Sequence, residues 1–206
     1  MLGLVLVPAG LLVGVLIAPL AAPFTGDVPR RRRFLMGLVT AAVFGLLGWR
    51  AGPEPVLPAL LYLAAAGTLL AFIDVATKRL PDRVTLPSYG IAAALLGAAA
   101  VFTDGGPQRF RNALIGMALL FALYFLSAFI SPSGIGMGDV KLSGVVGLYL
   151  GWFGREAWIA GVMAGYLLGA LVGIGILIVR RTRKFEFPFG PNMLAGALAA
   201  VLAFAA

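Results

Sequence analysis

The chain has 206 residues, of which 61% are hydrophobic and only 12% charged, and its mean hydropathy of +1.02 is too high for a domain that hides its apolar residues from water. Cysteine and histidine are both absent, which removes disulfides, thiolate and imidazole metal ligands, cysteine nucleophiles and Ser-His-Asp chemistry. The net charge of +8 predicts basic loops beside anionic lipid rather than a nucleic-acid partner.

An all-α, polytopic membrane protein is therefore expected, as a single membrane domain over residues 1–206, in the cytoplasmic (inner) membrane. A span takes about 20 apolar residues. The first run, Met1 to about Ala22, lacks a positive leading region and is long for a signal peptide, so it reads as an uncleaved helix. Arg30 to Arg33 follow, then a second run from Phe34 to Trp49 and a third from about Val56 to Ile73. A fourth covers about Leu86 to Phe102 and a fifth about Asn112 to Ile130. A short sixth runs from Val140 to Phe153, a seventh from about Ala157 to Val179, and the last from about Phe187 to Ala206. The count is eight, with the second and sixth short for a span.

Basic residues set the orientation. With the N-terminus outside, twelve of the sixteen basic residues fall in cytoplasmic loops: Arg30 to Arg33, Lys78, Arg79, Arg83, Lys141, Arg180, Arg181, Arg183 and Lys184. Arg50, Arg109, Arg111 and Arg155 fall outside. Glycines recur every fourth residue at Gly10 and Gly14, at Gly147 and Gly151, and from Gly161 through Gly165 and Gly169 to Gly173. Such stripes let helices approach closely, within one chain or between copies.

Eight acidic residues are present, and two sit at the ends of apolar runs. Asp74 closes the third and Asp139 opens the sixth. Carboxylates at membrane depth are costly and usually face a functional interior. The charge count places both at one depth on the cytoplasmic side. Two close carboxylates cannot both ionise easily, so they share a proton, and such a pair can deprotonate a water and protonate a departing amine. That is aspartic-protease chemistry, and it needs none of the residue types this sequence lacks. Gly134, Gly136 and Gly138 lead into Asp139. Their backbone freedom suits either a substrate strand beside the carboxylate or a plain helix entry.

Gly136-Met137-Gly138-Asp139-Val140-Lys141-Leu142 resembles the Gly-x-Gly-Asp motif of the type IV prepilin leader peptidases, which are intramembrane-type aspartic proteases. The stretch Ile73-Asp74-Val75-Ala76-Thr77-Lys78-Arg79-Leu80-Pro81-Asp82-Arg83 is similar to their other signature, and Phe187-Pro188-Phe189-Gly190-Pro191 also looks like theirs. The resemblance implies that Asp74 and Asp139 are the catalytic pair. It implies that Gly136 and Gly138 shape the substrate site. Asp82 matches a family aspartate outside the pair, which binds the basic leader, shapes the loop, or is a turn residue after Pro81. Lys141 is left to orient Asp139, meet lipid phosphate or snorkel.

The implied activity is removal of a basic leader from prepilins or pseudopilins of a type IV pilus or type II secretion system, at the cytoplasmic face. Many members carry a cysteine-rich, zinc-like insert between their first two helices that is associated with N-methylation. Here that loop is only Pro23 to Arg33, without cysteine, so a short, peptidase-only form with no cofactor is expected. A small cation- or proton-coupled transporter using the two aspartates, or a non-catalytic scaffold, is the alternative.

Overall fold

The computed structural model of the chain describes residues 2–130, 135–180 and 188–205. Gly134, Arg181, Arg183, Lys184 and Phe187, which the sequence reading used, lie outside them. Every regular element among the described residues is helical. Helix α1 spans Leu2–Ile17; a 3-10 turn, Ala18–Ala21, leads to a short α2, Ala22–Thr25. Then come α3 (Arg30–Arg50), α4 (Leu57–Thr77), α5 (Asp82–Val101), α6 (Gly106–Ile130), α7 (Met137–Trp152), α8 (Arg155–Arg180) and α9 (Gly190–Phe204). Each of the eight expected runs holds a helix among the described residues.

Their lengths depart from hydropathy in an informative way. Six segments are long and apolar enough to cross a membrane: 2–25, 30–50, 57–77, 82–101, 106–130 and 155–179. The second run is not short after all. Arg30 to Arg33 form the first turn of α3, which reaches 21 residues. Likewise α5 begins at Asp82 and α6 at Gly106, because polar turns continue a helix that apolar counting truncates. The first run is interrupted, since Pro19 and Pro23 open the 3-10 turn and α2 and lack the N–H that would continue the preceding helix.

Helices α7 and α9 stay short, at 16 and 15 residues, or about 24 and 22 Å at 1.5 Å per residue. Helix α7 packs against α5, α6, α8 and α9, and from Val140 to Trp152 only Lys141 escapes burial. A helix enclosed by protein need not match the bilayer thickness. It is the central post of the bundle rather than a lipid-facing span.

The small-residue stripes are occupied within the chain. A Cβ on Gly10 would stand 2.8 Å from Ala41 Cα, and one on Gly14 2.7 Å from Gly37 Cα, so α1 and α3 touch backbone to backbone. A Cβ on Gly147 would meet the Gly116 carbonyl oxygen at 2.5 Å, joining α7 to α6. Gly161 faces Ala200, and Gly169 faces Phe189, joining α8 to α9. These contacts pair helices antiparallel, so the start of α3, the end of α4 and the starts of α5, α7 and α9 share one end of the bundle.

Candidate active site

Asp74 lies in the last turn of α4 and is only 4% exposed. Its Oδ2 accepts a hydrogen bond from the Gly190 backbone N–H at 3.1 Å, at the first residue of α9. That amide is one of the orphan donors of a helix start, so the carboxylate satisfies it and sits at the positive end of the helix dipole. After Asp74 the helix stops at Lys78, which caps it in the left-handed region at φ 54°. Its N–H closes on the Asp74 carbonyl at 2.7 Å.

Asp139 lies in the first turn of α7, after Gly136 at the N-cap. It is within electrostatic reach of Asp74. Both aspartates line one open cavity of about 740 Å³ at the shared end of the bundle, together with Asp82, Lys141, Gly136 and Gly138. The structure thus brings together Asp74, Asp82, Gly136, Gly138, Asp139 and Lys141, from two separate stretches of chain. Lys78, Arg79 and Arg83 complete a mixed-charge rim.

The glycines act through space rather than through extended backbone. Gly136 is extended (φ −72°, ψ 145°), but Gly138 is already helical. A Cβ at position 138 would stand 2.9 Å from Leu80 Cβ, so its bareness lets α7 press onto the loop between α4 and α5. A Cβ on Gly136 would stand 3.3 Å from Asp139 Oδ2, and one on Gly190 2.9 Å from Asp74 Oδ2. Each carboxylate therefore has a glycine where a methyl group would crowd it.

Lys141 does not bond to Asp139. Its ammonium donates to both oxygens of Asp82 at 2.8 Å, and its carbonyl accepts from Tyr89 Oη at 2.6 Å. Asp82 and Lys141 are 53% and 30% exposed, so the pair contributes at most about 1 kcal/mol. Its effect is geometric: it ties the start of α5 to the second turn of α7, beside the cavity that both residues line. On the inner side, the buried Tyr124 of α6 lies within electrostatic reach of Asp139, stacks on Tyr166 and sits tilted against Phe189, with ring centres 5.7 and 6.2 Å away. Sequence reasoning gave no role to Tyr124, Tyr89 or the Gly190 amide. Only the quoted Phe-Pro-Phe-Gly-Pro stretch pointed near one of them. Among the described residues no three acidic side chains converge as metal ligands.

The sequence model of the type IV leader peptidase family matches residues 60–178. The chain belongs to that family. The matched region contains Asp74, Asp82, Gly136, Gly138, Asp139 and Lys141, while Gly190 falls beyond it. A protein of Neisseria gonorrhoeae named prepilin leader peptidase/N-methyltransferase is 32% identical over 168 residues, covering 77% of this chain and 53% of that protein. Its namesake in Aeromonas hydrophila is 30% identical over 176 residues, covering 84% of this chain and 57% of the relative. One from Klebsiella pneumoniae is 34% identical over 119 residues, covering 57% and 51%. The chain spans about half the length of the curated relatives it matches. No solved structure matches it significantly. Family and apolar helices together make this a multi-pass membrane protein.

Proposed function

We propose that this chain is an aspartic endopeptidase that removes the basic leader from type IV prepilins or pseudopilins at the cytoplasmic face of the inner membrane. The observation that carries the reading is the meeting of Asp74 and Asp139, 65 positions apart in sequence, in one open cavity at the basic end of an apolar bundle. The curated relatives bear the name of that activity.

In this mechanism the pair holds one proton. The ionised carboxylate takes a proton from a water as it attacks the scissile carbonyl. The protonated partner donates to the departing amine when the tetrahedral intermediate collapses. Burial of Asp74 under the Gly190 amide fixes its orientation, and the more open Asp139 meets the peptide from the cavity side. Asp82, held by Lys141, fixes the loop that bounds the leader's path.

Residues 1–206 act as one membrane domain in this reading, with the N-terminus outside. The chain works as a peptidase without N-methylating its product, because its loops carry no cysteine-rich insert. The test is cleavage of candidate prepilins by the purified protein in liposomes, read by mass spectrometry with S-adenosylmethionine present. A leader-sized loss with a free α-amine is expected. An intact precursor would defeat the peptidase reading, and a methylated product the single-activity reading.

A further inference from the structure

A second groove opens toward the lipid between α3, α4 and α9, with a volume of about 290 Å³. Its walls are apolar throughout. The one hydroxyl, on Thr68, is turned back onto the Ala64 carbonyl at 2.7 Å. The groove follows α4 from Leu60 to Phe72 and α9 from Val201 back to Pro191. On α4 that is about 18 Å at 1.5 Å per residue, more than half of a bilayer core of about 30 Å.

Its upper end is where it gains significance. Phe72 is followed by Ile73 and Asp74, which line the catalytic cavity. Pro191 is preceded by Gly190, whose amide holds Asp74. The groove therefore starts within one helical turn of the catalytic carboxylate and descends from it into the apolar layer. Resting on the peptidase reading above, we infer that this groove seats the apolar helix of the pilin precursor that follows the scissile bond.

Three features fit that occupant. A substrate cut at Asp74 and Asp139 and embedded in the bilayer has to leave the cavity along an apolar track, and this track begins there. The groove's small residues, Ala64, Ala71 and Ala195, permit close approach of a second helix. A cavity of roughly 150 Å³ holds one benzene-sized group, so 290 Å³ takes about two large side chains from one face of a helix lying across it. An acyl chain needs no such connection to the carboxylates.

Because the chain has no cysteine, one introduced thiol is unique. Ala195→Cys would be placed in an Asp139→Asn background in liposomes and paired with precursors carrying single cysteines along their apolar helix. Leu167→Cys, on the outer face of α8 and 59% exposed, is the control. Crosslinks from position 195 are expected to recur every three to four precursor residues, with none from 167. Equal crosslinking at both positions, or none at 195 while the wild-type protein cleaves the same precursor, would overturn the inference and leave the peptidase reading intact. Preferential labelling of position 195 by a photoactivatable phosphatidylglycerol under saturating precursor would assign the groove to lipid and overturn it too. In kinetics, Ala195→Trp should raise KM for the embedded precursor about tenfold with little change in kcat, while Leu167→Trp changes neither. An unaltered KM in Ala195→Trp would contradict the inference. Failure of the wild-type protein to cleave any precursor would instead strike the peptidase reading itself.

Discussion

A methyl group at position 190 would stand 2.9 Å from Asp74 Oδ2, inside van der Waals contact, and would push the carboxylate off the amide that orients it. Gly190→Ala should therefore lower kcat by roughly 10–100-fold, since displacements near 1 Å in a catalytic group cost about that much. Membrane insertion should be normal. Gly90→Ala, where a Cβ meets nothing within 4 Å, should leave cleavage unchanged, and equal activity in both variants would show that the Gly190 contact is idle. Asp74→Asn and Asp139→Asn should each reduce cleavage to background, because an amide neither activates water nor relays a proton. The double variant should be no worse than either single one, since the pair acts as a unit; single-turnover assays read this directly. Asp74 and Asp139 were legible because each interrupts hydropathy at the end of an apolar run. The Gly190 amide was not, because its partner lies 116 residues away and no local pattern marks a bond made only in three dimensions. The Lys141–Asp82 tie was hidden for the same reason. Lys141→Met should cost less than about 1 kcal/mol of stability, the range of exposed ion pairs, as read by thermal unfolding in detergent.

Between helices, the close backbone contacts carry the specificity of the bundle. On α7, Gly147 faces the Gly116 carbonyl of α6 so closely that Val at 147 would force the two apart. Overpacking of this kind costs about 1–3 kcal/mol. Gly147→Val should melt several degrees lower than the wild-type protein, whereas Gly175→Val, whose Cβ would meet nothing within 4 Å, should not. Element existence was readable from apolar run length alone, and the glycine spacing correctly anticipated tight helix contacts. Element ends were not readable, because polar turns such as Arg30 to Arg33 prolong helices that hydropathy cuts short. Nor did hydropathy distinguish a helix facing lipid from one enclosed by neighbours. The sequence of α7 is apolar in either case, and only its surroundings decide.

For the whole molecule, the reading of one basic face predicts reporter results. Fusions after Arg33 and Arg83 should report the cytoplasm, and one after Gly106 the periplasm. Opposite signals at Arg33 and Arg83 would separate the cavity from the side on which leaders are exposed. The end-on grouping of α3, α4, α5, α7 and α9 termini in the fold agrees with the alternation of charged loops in sequence, since antiparallel neighbours return the chain to the same side every second helix. The two short helices then acquire a consequence for water supply. Helices α7 and α9, about 24 and 22 Å long at 1.5 Å per residue, carry Asp139 and the Gly190 amide at their starts. Helix α7 is enclosed by its neighbours, so only beside α9 does surrounding lipid about 30 Å thick have to thin, and such mismatch costs fractions of a kcal/mol per Å. In the peptidase reading, such a dent would bring water to the two carboxylates at that end of the bundle. Turnover in liposomes should accordingly fall as acyl chains lengthen at constant headgroup charge, and a rate indifferent to lipid length would show that the site draws its water from the protein's own cavity alone.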